Sequence, residues 1–453
     1  MGQVDSASQT ITTAASVNAP SRLEQRNERL LLAAGTLDRL GNVMFNPELI
    51  LAGLVLAVTG SATLAVLVSV IHRFALTIPQ MFAGPLTEHR DTRRPAVAQL
   101  TAARGVTAVL LLIAIAWLGA EAGPAALVLF FVAYTAMVVA SGMKVAVSTD
   151  LIGRSVAAGR SGRLFGQRLF LGGIASVIAS FLVIQPLLGR LPLPVNYVSV
   201  GAIGTVVLVG SGLLMLRCHE FERSRSRQRT GVIESFRRGM RWVRRDRNYK
   251  RFVAVRACSR VTFVALALFL PYGQARFQIS GAAAIAGMAG VMVGVRQGAE
   301  LLSSIGWGRL ADWLDYRYCM AGSGACFIGG VGLALAAPHL PVGFAIPMGV
   351  TETQLTLPLT VFLLALSLLA AGMQANIVSD LNFVMHNAPG RRRGTYFAFV
   401  SAATSPLALV PLLAAWLAEY AGYAIPLAIA AAAALGVIAC AAGMDAPRHR
   451  QAS

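Results

Sequence analysis

Charge is scarce in this sequence, and acid is scarcer than base. Asp, Glu, Lys and Arg make up 13% of the 453 residues, 20 of them acidic and 39 basic. A soluble domain carries about 25% charged residues, so an ordinary water-facing surface is excluded. Cysteine is also sparse. Cys218, Cys258, Cys319, Cys326 and Cys440 form no CxxC pair and no metal-ligand spacing, which leaves them as small apolar residues in helices. There is no GxxxxGK[ST] phosphate loop, no Ser-His-Asp order and no metal-spaced His cluster. Nucleotide-driven pumping within this chain is thereby excluded, no enzyme activity is expected, and no resident cofactor is expected. No apolar core precedes Leu30. Residues 1–28 are polar and read as a disordered tail rather than a cleavable signal.

What is present is apolar length. The chain is 56% hydrophobic with a mean hydropathy of +0.65. Runs of the roughly 20 residues needed to cross a bilayer as a helix recur from end to end. We read twelve spans: 29–57, 62–83, 95–119, 124–145, 164–189, 196–216, 251–275, 281–306, 318–338, 354–378, 395–417 and 425–443. They exceed strand length, so each is expected to be helical. Asn46-Pro47 predicts a break in the first. The expected organisation is a tail (1–28), six helices (29–216), a basic linker (217–250), six helices (251–443) and a second tail (444–453).

The odd-numbered loops carry only Arg190 and Arg276 among basic residues, whereas the tails, the even-numbered loops and the linker are rich in Lys and Arg. The positive-inside rule then places both termini and the linker in the cytoplasm. The net charge of +19 is a topology signal and a contact for anionic lipid. No nucleic-acid partner is expected. The partners are the bilayer and a small-molecule substrate, and the chain is expected to act as a monomer.

The chain also repeats itself. Residues 84–93, GPLTEHRDTR, align without gaps on 308–317, GRLADWLDYR, displaced by 224 residues. Gly84 falls on Gly308, Glu88 on Asp312, Asp91 on Asp315 and Arg93 on Arg317. Residues 142–151, GMKVAVSTDL, align with 372–381, GMQANIVSDL, displaced by 230, and each precedes a basic loop ending in Gly. Asp150 falls on Asp380. Two segments repeating at half the chain length, in the same orientation, describe a parallel duplication.

On these residues the chain resembles the major facilitator superfamily of secondary transporters. The family's loop signature, G-x-L-A-D-R-x-G-R-[RK] after spans 2 and 8, is matched by Gly308, Leu310, Ala311, Asp312 and Arg317, and more weakly by Gly84, Leu86, Glu88 and Arg93. Trp313, Asp315 and Tyr316 depart from it. The resemblance implies an all-α membrane fold of two six-helix bundles, alternating access, and a possible coupling to protons or ions. It also implies that Glu88, Asp91, Arg93, Asp312 and Arg317 latch the cytoplasmic side shut in the outward-open state. Asp150 and Asp380 are candidates for the same latch. A glycine at Gly84 or Gly308 would let a neighbouring helix approach closely. The alternative is a solvated turn that only sets topology.

Ionisable groups within spans are costly and are functional candidates. His72 and Arg73 lie in mid-span 2, and the displacement of 224 carries them onto Arg296 and Gln297 in span 8. Glu300, four residues after Arg296, shares its helix face. Arg260 lies in span 7, and Asp38, Arg39, Asn42 and Asn46 stripe span 1. These arginines either face a water-filled cavity and bind an anionic or zwitterionic solute, or pair internally as structure. For Arg73 the expected partner is Asp38, a bound anion or water. Asp38 with Pro47 loosely resembles the acid-then-proline pattern of drug–proton antiporters. Residues 124–143 hold no arginine, however, and span 5 lacks that group's Gly-Pro pair. The function expected is therefore secondary transport of a small organic solute. The alternative is a transporter-shaped assembly factor or sensor without net transport.

Overall fold

The computed structural model describes residues 22–87, 92–156, 158–221, 240–241, 246–347, 354–387 and 393–445. Among them eleven helices are long and apolar enough to cross a membrane, and Ile50–Thr59 is a shorter apolar helix of 10 residues. The difference from the expected twelve lies in the first span. It is split into α1 (Arg22–Met44) and α2 (Ile50–Thr59), and α1 carries too many charges to count by hydropathy alone. Pro47 causes the split, because it lacks an N–H and its ring clashes with the preceding turn. Asn46 then restarts the helix. Its Oδ1 accepts from the backbone N–H groups of Glu48 and Leu49, both at 3.0 Å, satisfying donors a helix start leaves free.

The remaining spans follow the hydropathy pattern: α3 (Ala62–Thr87), α4 (Arg94–Ala120), α5 (Pro124–Ser155), α6 (Ala158–Ala179), α7 (Gln185–Arg190) and α8 (Val195–Leu216) in the first half. The second half has α9 (Arg247–Ala267), α10 (Phe269–Arg276), α11 (Ala282–Trp313), α12 (Tyr316–Ala336), α13 (Leu357–Asn387), α14 (Arg393–Thr404), α15 (Val410–Ala421) and α16 (Ala424–Ala442). A π-helical turn, Ser180–Ile184, joins α6 to α7 just before Pro186, and a 3-10 turn, Ser405–Leu409, joins α14 to α15 around Pro406. Both breaks fall where proline removes a ladder hydrogen bond. One two-stranded antiparallel pair, β1 (Ala345–Pro347) and β2 (Gln354–Thr356), lies in the loop before α13. The all-helix expectation missed it.

Three expectations are corrected. The tail does not extend to residue 28, because α1 begins at Arg22. Buried Asn27 explains why: its Nδ2 donates to the carbonyls of Ser155 (3.0 Å) and His219 (2.8 Å), and its Oδ1 accepts from the His219 N–H (2.9 Å). The second tail is likewise docked at its start, with Arg317 donating to the Met444 carbonyl at 2.9 Å and Tyr316 to that of Asp445 at 3.1 Å. The stretch 308–317 is not a loop. Gly308 to Trp313 complete α11, and only Leu314 and Asp315 separate it from α12.

The two halves form two all-α bundles. They meet through α11 against α2, α6 and α7, and through α3 against α15. Small residues permit this approach, since lipid supplies no hydrophobic drive between helices. A Cβ at Gly290 would lie 3.0 Å from the Gln185 Cα, and one at Gly294 would lie 2.7 Å from the Phe181 ring.

Candidate functional site

Between the bundles a cavity of about 550 Å³ opens toward the face that carries the linker. Its walls come from α1, α4, α5, α6, α8, α11 and α13. Five cations line it, Arg39, Arg104, Lys144, Arg168 and Arg296, against two carboxylates, Asp38 and Glu300. On the opposite side the two halves meet at the α7–α11 crossing and at a contact from α15. There the Glu419 carboxylate accepts from the Ser61 hydroxyl (3.0 Å) and from the Thr63 N–H (2.9 Å) at the start of α3. A carboxylate is favoured at a helix N-terminus by the exposed N–H groups.

At the closed end of the cavity sits a chain of alternating charges. Glu48, released from the helix by the Pro47 break, lies between Arg73 (2.6 Å) and Arg296, which donates to its other oxygen. Arg296 Nε also donates to Glu300 at 2.9 Å, and Arg39 reaches Glu300 at 3.6 Å. Arg73 stacks on the Phe263 ring, 4.1 Å from its centroid. Glu48, Arg296 and Glu300 are all buried. The chain crosses the bundle interface twice, from α1 to Glu300 and from Glu48 to α11.

Nearer the mouth, Asp38 accepts from Arg104 (2.9 Å) and Lys144 (3.4 Å), while Asn42 Oδ1 accepts from Arg104 at 2.6 Å. One carboxylate thus serves two buried cations. Arg168 packs its guanidinium on Gly35, where a Cβ would lie 1.7 Å from Nε. Among the described residues no carboxylate reaches Arg168.

The predicted site residues divide accordingly. Asp38, Arg296 and Glu300 line the cavity. Arg73 is one step behind it, and its partner is Glu48, not Asp38, which Arg104 and Lys144 already occupy. His72 turns away to Tyr134 on α5, 3.1 Å from its hydroxyl. Arg260, on α9, has a buried Nε without a partner.

With this face open, the following bonds of the loop residues lie within one half. Arg93 binds Asp150 at 2.5 Å, with Arg154 on the same carboxylate at 3.2 Å. Asp380 binds Arg256, and Arg317 binds Asp315 at 2.9 Å. Gly308 has open space around its Cβ position, so no helix approaches it closely with this face open. Glu88 and Asp91 lie outside the described residues, as do the surroundings of Gly84 and Asp312.

Glu48, Arg104, Lys144 and Arg168 were not singled out from sequence. Glu48 had a signal, an acid next to the proline break. Lys144 lies at the end of its predicted span and passes there for an interface charge, whereas Arg168 and Arg104 lie inside theirs and carried the in-span charge signal. Among the described residues no three His, Cys, Asp or Glu side chains come together as a metal-binding group.

No protein-family model and no curated protein matches the chain. Solved structures do. A bacterial homologue of the iron transporter ferroportin, in an inward-facing state, aligns with a TM-score of 0.64 and 16% identity over 93% of this chain and 100% of that one. The nucleoside transporter NupG gives 0.63 and 13% over 91% and 98%. A D-xylose–proton symporter gives 0.62 and 13% over 94% and 98%. The chain shares the fold of these transporters, and with eleven membrane-length apolar helices among the described residues it is a multi-pass membrane protein.

Proposed function

We propose that this protein is a secondary active transporter that carries a small organic anion across the cytoplasmic membrane by alternating access. The observation that carries the reading is the one-sided cavity. Both bundles wall it, five cations face two carboxylates within it, and contacts join the two halves on the far side. The basic linker supports a cytoplasmic open face, which makes the conformation inward-open. With no phosphate loop in the chain, the driving force is a solute or ion gradient. The neighbours' cargoes, iron, nucleoside and xylose, do not carry over; a cavity lined by guanidinium and ammonium groups repels a metal cation. The within-bundle pairs of Arg93, Asp150, Arg256 and Asp380 are free to exchange across the interface when the cytoplasmic side closes.

The test is a distance measured between spin labels at Thr149 and Ile377, on opposite walls of the cavity mouth. Two populations are expected. Glu419→Gln removes the outer contact and should move the balance toward the shorter distance by roughly fivefold, corresponding to about 1 kcal/mol for a helix-terminus carboxylate. A single distance unmoved by Glu419→Gln would instead support the sensor reading, which one observation favours: Arg73 and Arg296 are already satisfied internally. Cysteine tags at residues 222–248 should label only from the cytoplasm. Labelling from outside would reverse the orientation.

A further inference from the structure

Resting on that transport reading, we propose that the solute is a small dianion, a dicarboxylate or a phosphate monoester, gripped by Arg168 together with Arg104 and Lys144. The charge distribution inside the cavity carries this. Arg296 and Arg39 share Glu300, and Arg296 and Arg73 share Glu48, so the α11 side, with three cations on two carboxylates, is nearer to balance. The opposite wall is not. Arg104, Lys144 and Arg168 face one carboxylate, Asp38.

Two of these cations are buried, and the Arg104 Nε has no hydrogen-bond partner. Buried positive charge without a counter-ion is costly in a membrane interior. A surplus of two on one wall calls for a ligand with two negative charges rather than one. A planar guanidinium also suits carboxylate and phosphate oxygens, which it can bind through two parallel N–H bonds.

The far end of the ligand meets different chemistry. Gln297, Gln374, Met373 and Ile377 line the α11–α13 side. The Gln297 Oε1 is a buried acceptor without a donor. The solute therefore turns both negative charges toward the Arg104–Lys144–Arg168 wall and uncharged atoms toward the α11–α13 side, and it has few carbons, in keeping with a cavity of about 550 Å³.

The position of Arg168 depends on Gly35. A side chain there would collide with its guanidinium, so Gly35→Ala displaces the group while keeping its charge. This separates placement from net charge, and it supplies a second variant should Arg168→Gln fold poorly.

The experiment uses the purified full chain in detergent, with thermal shift and calorimetric titration. The probes are succinate, glycerol 3-phosphate, lactate and glycerol. A ligand that binds only the folded state raises its apparent stability. Succinate or glycerol 3-phosphate should raise the unfolding temperature, and which of the two does so identifies the source of the charge. Lactate and glycerol should bind at least tenfold more weakly. Arg168→Gln and Gly35→Ala should each weaken dianion binding tenfold or more, whereas Arg168→Lys should lose less.

Binding of lactate or glycerol as tight as that of the dianions overturns the dianion assignment and leaves the transport reading standing. So does dianion binding unchanged in both Arg168→Gln and Gly35→Ala. No shift from either dianion also overturns the assignment. If the Thr149–Ile377 distance is then fixed as well, the transport reading falls with it.

Discussion

Glu48→Gln is expected to cost about 3–5 kcal/mol of stability and to abolish transport, because it leaves the buried Arg296 and the half-buried Arg73 guanidiniums facing an amide. In the folded protein the Glu48 carboxylate lies between Arg73 and Arg296, one oxygen to each. Glutamine keeps the shape and one acceptor but removes the charge. Arg296 retains Glu300, whereas Arg73 retains only the Phe263 ring. Arg73→Gln alone should be milder, since the Glu48 it leaves keeps Arg296. The double variant Glu48→Gln/Arg73→Gln removes one charge of each sign. It should therefore be less destabilised than the sum of the single changes, with a coupling of about 1–3 kcal/mol. Unfolding in detergent for the four proteins of this cycle measures the coupling. An additive double variant would mean that the three charges are held apart by water and that the bridge contributes nothing.

This cluster shows what could be read from the residues and what could not. Arg296 and Glu300 were legible as a pair, because their contact is set by helix geometry alone, four residues on one face. The equal depth of Arg73 and Arg296 was legible from the repeat. What joins them was not: Glu48 is 25 residues from Arg73 and 248 from Arg296, and the packing of α2 against α3 and α11 brings them together. Of the partners expected for Arg73, Asp38 is taken by Arg104, 66 residues away, and by Lys144, 106 away, which again is a matter of packing.

Hydropathy locates helices by their apolar residues, so it ends them early where polar residues face a cavity rather than lipid. The span read as 124–145 runs on to Ser155, which sinks Lys144 about 16 Å, at 1.5 Å per residue, from its helix end. The fold itself was more legible, because apolar length, basic-loop asymmetry and a half-chain repeat all give the same architecture. The Pro47 break followed from the residue, while the hairpin at 345–356 left no hydropathy signal.

The repeated segments contain one further large effect. Gly142 opens the copy GMKVAVSTDL on α5, and a Cβ there would lie 2.4 Å from the backbone carbonyl oxygen of Leu76 on α3. No rotamer change relieves a contact with backbone, so Gly142→Ala must push α3 and α5 apart. Overpacking of this kind costs about 1–3 kcal/mol in a well-packed core, and Gly142→Val should cost more. The functional loss should exceed the loss of stability. Lys144 lies two residues further along α5, and its 3.4 Å contact with Asp38 depends on that helix keeping its distance from α1.

A control is available on the same helix. Gly153 has nothing within 4 Å of its Cβ position, and Gly153→Ala should be neutral or stabilising by about 0.5–1 kcal/mol, since alanine favours the helix. Unfolding midpoints for the two alanine variants, with solute uptake by the same proteins in vesicles, make the comparison. Equal stability of Gly142→Ala and Gly153→Ala would show that α3 and α5 are not in backbone contact at this crossing. The cationic wall around Asp38 would then lack the support assigned to it.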